Sequence, residues 1–537
     1  MLPRHNVNGT NRPSEHLLCK FPVFQNTLIS FILKVMWLTK AKGTALTAYV
    51  TFASGAGFAL FGYDQGVFGA VLVNPSFIDI FNDPDPGLQG HITAIYDIGC
   101  FLGAIATMYW GNRLGCRATI LIGCTILIVG AILQTASYHV PQMIVGRLVA
   151  GVGNGMNTAA IPVWQSELAP ASHRGRIMVL QLVLNQVGNV TSQWLNYGMT
   201  FISSSSVSWR FPLAFQCFFA LLTMAFIPWL PDSPRWLILK DRGEEALQII
   251  KRLGGSESTE EQSREAWQTI HDSVQHEASM GSISIKSLLR NDELQTTRRL
   301  LLGAGTQFMQ QWSGINAIIY YLPIVFHSLG ISRNLSLILG ACNAMNLMFS
   351  ACVSSLYIEN FGRKRVMAWG AAAQSLCFCL VTIGIGLGGR SWSAVAVAFV
   401  FAYITAFGLS WIAVPWMYPA EVNTQRMRIA GAGVATATNW INNYAVVLIT
   451  PIGIANLGWR YYLIYAVLNA VFVVVVKIFY VETARFTLEE IDQVFEKAFS
   501  KSHASSSGDD SVEVQSRGPE KDEEVGGQSS HISVRNM

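Results

Sequence analysis

The sequence predicts an all-α membrane protein: twelve transmembrane helices in two pseudo-symmetric six-helix bundles, with an intracellular helical segment between them. Three observations carry that expectation. Charged residues make up 13% of the 537-residue chain and hydrophobic residues 51%, whereas soluble globular proteins carry about 25% charged residues. Apolar stretches of the roughly 20 residues that a bilayer demands recur as six, a polar interval, and six more. Three pairs of charged motifs then repeat between the two sets at one nearly constant period.

The first six expected spans lie near residues 46–73, 91–110, 118–136, 141–163, 177–201 and 211–230. The second six lie near 300–327, 334–357, 366–388, 392–418, 429–450 and 459–480. They divide the chain into an N-terminal arm (1–44), an N-terminal bundle (45–231), a helical linker (232–299), a C-terminal bundle (300–481) and a tail (482–537). The tail is low in complexity and expected to be disordered from about 500. In the arm, Phe24, Leu28, Phe31, Val35 and Leu38 repeat at helical spacing, so 21–38 reads either as an interfacial helix or as a gene-model artefact. Of the 37 Lys and Arg residues, the loops on one side hold only Arg210, Arg333, Arg390 and Arg460. The positive-inside rule then puts both termini in the cytoplasm, most naturally at the plasma membrane. The sequon Asn334-Leu335-Ser336 falls outside, close to a span.

Composition excludes several classes. A formal net charge of +4 is too small to imply a nucleic-acid partner. The 9 cysteines form no CxxC pair and are odd in number, which argues against zinc and against a full disulfide set. The 10 histidines are scattered, so no metal, no cofactor and no enzymatic activity are expected. A Walker-type phosphate loop is missing from the sequence, which disfavours an ATP-driven pump.

The repeat is legible in three places. Asn112-Arg113-Leu114-Gly115-Cys116-Arg117 after the second span answers Asn360-Phe361-Gly362-Arg363-Lys364-Arg365 after the eighth, with Glu359 preceding it. Glu167 precedes Arg174 by the same spacing as Glu421 precedes Arg428. Asp232-Ser233-Pro234-Arg235 answers Glu482-Thr483-Ala484-Arg485. All three pairs lie about 250 residues apart, the signature of a duplicated unit. Alternating-access carriers are built this way, with the guest held between the halves.

The ordered motifs identify a family. The chain resembles the sugar porters of the major facilitator superfamily, in the form typical of fungal members. Its carriers are Gly62-Tyr63-Asp64, Gly146-Arg147, the run Pro162 to Pro170 containing Trp164 and Glu167, Arg174-Gly175, and Pro231 to Arg235. Gln310-Gln311 with Gly314 and Asn316, and Pro415-Trp416 followed by Glu421, complete the set. The sequence departs from the pattern at Asn112, Cys116, Asn360 and Ala484-Arg485, which thins out the inner charge cluster.

Neutral polyols need paired donors and acceptors, and Gln and Asn supply both without a buried charge. Gln307, Gln310, Gln311 and Gly314 share one helical face. The resemblance makes Gln310, Gln311 and Asn316 sugar ligands and places Tyr320 and Tyr321 in the outer gate. Trp416 is expected to stack on the sugar or close beneath it, while Asn439 and Asn443, four apart, face it from the eleventh span. Gln181 is the corresponding amide of the fifth. The alternative role of such amides is hydrogen bonding between helices. Asp64 and Arg147 are costly in hydrocarbon and so are expected to face each other inside the bundle. The resemblance makes them a proton-coupling pair; a permanent structural ion pair is the other reading. Arg113, Glu167, Arg174, Asp232, Arg235, Glu359, Arg363, Glu421, Arg428, Glu482 and Arg485 are expected to form an inner gate of ion pairs between the halves. The expected partners are a sugar or polyol, a proton and the lipid bilayer. The expected function is monosaccharide import by alternating access with a proton, the alternatives being a polyol or glycerol symporter, a uniporter, or a non-transporting sugar sensor.

Overall fold

The computed structural model describes residues 41–169, 174–202, 205–255, 258–279, 295–424, 427–484, 491 and 495. The expected interfacial helix at 21–38, Arg485 and the tail from about 500 lie outside the described residues. The N-terminal half comprises α1 (Gly43–Leu72), the short α2 (Pro75–Ile80), α3 (Pro86–Leu114), α4 (Cys116–Thr135), α5 (Val140–Leu168), α6 (Arg174–Gly198) and α7 (Val207–Phe226). Three helices, α8 (Pro234–Leu239), α9 (Gly243–Gly254) and α10 (Glu260–Ser279), form the linker. The C-terminal half comprises α11 (Thr296–Trp312), α12 (Ile315–Ser328), α13 (Arg333–Phe361), α14 (Arg363–Leu387), α15 (Arg390–Ser410), α16 (Val414–Val422), α17 (Arg428–Leu457) and α18 (Arg460–Phe479).

Nine helical stretches among the described residues are long and apolar enough to cross a membrane. The other three expected spans are α5 and α6, which carry amides or charge, and the pair α11–α12, whose break leaves two pieces of 17 and 14 residues, each too short to cross alone. α6 alone buries Gln181, Asn185, Gln186, Asn189, Gln193 and Asn196. At roughly 1.5 Å per residue α5 and α6 still have the length to span. Their polar faces survive in a bilayer because they turn toward protein.

Lipid offers no hydrophobic drive for helix association, so close backbone packing and interhelical hydrogen bonds take its place. α3 and α5 meet at Gly99 and Gly151, where a Cβ on Gly99 would lie 2.9 Å from the Gly151 Cα. α1 and α6 approach as closely: a Cβ on Gly62 would collide with the Asn185 carbonyl, and one on Gly188 with that of Ala59. Large side chains such as Leu356, Trp369 and Tyr109 point outward, as a lipid-facing surface requires. The halves meet where α3 packs along α17, α6 along α13 and α1 against α12. One apolar cluster crosses that boundary, joining Val67 and Phe68 to Tyr320, Tyr321 and Val447.

The linker helices sit at one end of the bundle, here termed the linker end, with Leu237, Ile238, Ala246 and Val274 as their own small core. At that end Gly115 turns α3 into α4 with φ +85, and Gly362 turns α13 into α14 with φ +89. Both need the left-handed conformation that glycine takes without strain. Asn334 is exposed at the start of α13, whereas Ser336 of its sequon is buried and donates its hydroxyl to the Ser332 carbonyl.

Candidate functional site

Two helix breaks aim the amides. α11 ends at Trp312, and Gly314 takes φ +98 before α12 resumes. A Cβ there would lie 2.8 Å from the Phe378 ring. The Ser313 carbonyl freed by the break accepts from Tyr403 Oη at 3.1 Å and from Asn469 Nδ2 at 3.0 Å. A second break, between Ser410 and Val414, exposes carbonyls to the interior. Gln310 Nε2 donates to the Trp411 carbonyl at 2.8 Å and Gln307 Nε2 to the Pro415 carbonyl at 2.7 Å.

Other atoms of these amides bond to one another. Asn439 Nδ2 donates to Gln307 Oε1 at 2.6 Å and to Gln310 Oε1 at 3.3 Å. Asn316 Nδ2 donates to Gln311 Oε1 at 2.5 Å and to Asn443 Oδ1 at 2.7 Å. Asn443 Nδ2 then crosses to the other half and donates to Asp97 Oδ1 at 3.0 Å. All six amides are buried. An unmatched buried amide costs about 1–3 kcal/mol, and mutual bonding avoids that cost until a guest with its own hydroxyls exchanges in.

Aromatic side chains surround this cluster. Trp416 is half-buried on α16 beside Pro415. Trp440, between Asn439 and Asn443 of α17, is fully buried with its ring 5.5 Å from that of Phe61 across the halves. Its Nε1 has no partner among the described residues. Tyr320 and Tyr321 are fully buried; Tyr321 Oη donates to the Val447 carbonyl at 2.9 Å, and the Tyr320 carbonyl sits against Gly69 of α1. These contacts close the halves over the cluster at the end opposite the linker.

Gln181 is not brought to this cluster. Its Nε2 donates to Gln165 Oε1 of α5, toward the linker end. The amides that α6 presents to the C-terminal half are Asn189 and Gln193, which line a void of about 10 Å³ with Ile318, Leu322 and Asn343. That is room for about one water.

The expected pairing of Asp64 with Arg147 is corrected: among the described residues no ion pair joins them. Asp64 Oδ2 accepts from Tyr96 Oη at 2.7 Å. The Arg147 guanidinium donates to the carbonyls of Ile92 and Thr93 at 3.3 and 2.8 Å and lies over the Phe68 and Tyr96 rings at 4.3 and 4.7 Å. Tyr96 thus mediates, its hydroxyl on the carboxylate and its ring against the cation. Two carbonyls and two ring faces satisfy the guanidinium without a carboxylate. Asp97, next along α3, was not anticipated, although an acid inside an expected span is a signal the sequence does carry. Trp440 is likewise absent from the expected site, although its place between Asn439 and Asn443 is a signal the sequence carries.

At the linker end Arg363 Nη2 and Nε contact Glu421 at 2.9 and 3.2 Å. Glu482 accepts from the backbone N–H groups of Arg363 and Lys364 at 2.7 and 3.1 Å. These groups lie within the C-terminal half, so this ion pair does not join the halves as expected; α16 and the segment after α18 fold back onto the α13–α14 turn instead. In the N-terminal half Cys116 occupies the position of Arg363, within electrostatic reach of Glu167 and Asp232. Burial raises the Asp232 carboxyl above its ordinary range, opposed by the backbone N–H of Ser233 and by Arg117. Trp236, which follows Arg235, packs beside Gly115. Arg113 lies in the last turn of α3 and Arg174 and Arg428 begin α6 and α17.

The family described as "Sugar (and other) transporter" matches residues 49–495. The chain is 41% identical over 464 residues to the MFS-type transporter oryC of Aspergillus oryzae, covering 84% of this chain and 86% of that one. It is 37% identical over 474 residues to the sugar transporter STL1 of Saccharomyces cerevisiae, covering 85% and 82%. Its fold is similar to that of the xylose transporter XylE from E. coli in a partially occluded inward-open conformation, with a TM-score of 0.70 at 22% identity over 83% of this chain and 100% of that one. Family, relatives and fold agree, and the chain belongs to the sugar transporter family of the major facilitator superfamily.

Proposed function

We propose that the protein imports a monosaccharide by alternating access in symport with a proton, at the plasma membrane with the linker end and both termini cytoplasmic. The observation that carries this reading is the buried cluster of Gln307, Gln310, Gln311, Asn316, Asn439 and Asn443 at the boundary between the halves. It offers paired donors and acceptors and no charge of its own, which suits hydroxyl groups. Trp416 and Trp440 supply apolar ring faces beside it. The relative named as a sugar transporter supports the same class of guest. Asp64, buried beside Tyr96 with Arg147 on the other side of that ring, is the proposed proton-coupling group.

The test is radiolabelled uptake in a transporter-null yeast, with D-glucose, D-xylose and glycerol compared at acid and neutral pH. Gln310→Ala and Asn316→Ala should each raise the apparent KM about tenfold or more, the loss of one to two matched hydrogen bonds. A protonophore should abolish accumulation against a gradient. Uptake unchanged by both substitutions overturns the binding site. Accumulation unchanged by pH and protonophore overturns the symport.

A further inference from the structure

Asp97 joins the amide cluster to the charged site. It is 0% exposed on α3. One oxygen accepts from Asn443 across the halves at 3.0 Å, and the other, Oδ2, has no hydrogen-bond partner among the described residues. Ionisable groups face it from the elements around it: Arg147 from α5, Tyr320 and Tyr321 from α12, and Cys100 on α3 itself. Tyr96 adjoins it in the chain and carries the bond to Asp64 of α1, whose neighbour Tyr63 donates to the Pro212 carbonyl. α17 contributes the neutral Asn443. Arg147 is the one cation in this set, and its guanidinium is held by the Ile92 and Thr93 carbonyls.

The charge count decides the chemistry. Two carboxyls and one guanidinium share a sealed interior. With both carboxyls ionised the pocket is left with an uncompensated negative charge, which a low-dielectric interior disfavours strongly. One proton restores neutrality. Asp64 keeps its Tyr96 donor within its own half, so movement of the halves leaves that bond in place. Asp97 is different because its donor belongs to the other half. Separation of α3 from α17 removes the Asn443 bond and admits water to the carboxyl, and closure does the reverse. Asn443 also accepts from Asn316, which in turn donates to Gln311. A guest that takes over either asparagine therefore reorients the donor on Asp97.

We infer that Asp97 is a second proton-binding group, loaded when the halves close over an occupied amide cluster and unloaded when they part. The inference rests on the proton-coupled reading above and deepens it. In the step itself a proton from water on the acidic side forms an O–H bond at the Asp97 carboxylate, giving the neutral acid. After the halves open to the other side that O–H bond breaks and the proton returns to water, so nothing else is consumed.

The test reconstitutes the full chain in liposomes carrying an internal pH dye, with radiolabelled D-glucose, D-xylose and glycerol as probes. Wild type should admit protons with whichever probe it carries. Asp97→Asn should lower proton entry per probe molecule exchanged about tenfold, and Asp97→Glu should restore it with a displaced pH midpoint. A wild type that exchanges a probe but moves no proton sinks the symport reading. A wild type that couples, beside an Asp97→Asn protein with the same proton-to-probe ratio and pH profile, sinks the role of Asp97 alone. If Asp97→Asn proves inactive, Asp97→Glu decides: a wild-type pH midpoint overturns the inference and a displaced one supports it.

Discussion

The two linker-end turns share one backbone design and differ at the residue after the glycine, Cys116 in one and Arg363 in the other. Both bend on a left-handed glycine, and both place a carboxylate from the segment after the last helix of their half against the start of the next helix. Glu482 accepts from the Arg363 and Lys364 backbone, and Asp232 accepts from the Arg117 backbone. An anion at a helix N-terminus meets unpaired N–H groups and the positive end of the dipole. The C-terminal copy adds Arg363, bound through two nitrogens to Glu421 of α16, while Thr483 Oγ1 donates to the same carboxylate at 2.6 Å. The N-terminal copy has Cys116 there instead. The duplicated backbone thus shares the glycine and the capping acid; the arginine is an addition that ties α14 to α16 in one half only.

Five substitutions separate what the turns share from what the arginine adds. Arg363→Cys should have the largest effect, because it leaves the partly buried Glu421 without its cation. Losing one partner of such a pair costs about 3 kcal/mol, read as a lower melting temperature in detergent; an unchanged melt would mean the pair is ornamental. Gly362→Ala should cost about 2 kcal/mol, since its φ of +89 disfavours a side chain and the Cβ would lie 2.5 Å from Glu482 Oε2. Gly115→Ala should cost less, its Cβ meeting Trp236 at 3.0 Å and Asp232 at 3.2 Å. Equal losses would remove the distinction between the turns.

Cys116→Arg should make the N-terminal turn resemble its copy and stabilise it by about 1 kcal/mol, the upper range for a partly exposed pair. Slower hydrogen exchange at the start of α4 would register the gain, and faster exchange would refute it. The smallest effect is a pH dependence at Asp232. Burial raises its carboxyl, so the folded turn holds the proton more tightly than the unfolded chain does. That contribution is present in acid and is lost as pH rises through the folded-state value. Asp232→Asn should therefore gain on wild type at neutral pH, with the gap closing in acid; a gap independent of pH would exclude this carboxyl as its source.

The spans and the repeat could be read because hydropathy and motif spacing are properties of neighbouring residues. The same reading put five of the six clustered amides, all but Asn316, on two helical faces, since residues three and four apart share a face; Asn316 came from the resemblance. Gly314 and Pro415 mark where the seventh and tenth spans can open or bend, but they permit a break without dictating one. Partners were further out of reach. Arg147 and Asp64 were matched by opposite charge, but the packing of α3 put Tyr96 between them. Gln181 was placed by analogy, whereas the rotation of α6 turns it toward Gln165.

The sequence by itself determined a twelve-span membrane protein made of two related halves, with neutral amides on its inner faces. Those features follow from composition and period, which no neighbour in space can alter. Only the tertiary structure decided that Asn443 meets Asp97, 346 residues away in the chain. Such a bond depends on how two bundles are rotated and translated against each other, and that placement comes from glycine-tight packing summed over whole helices rather than from either residue.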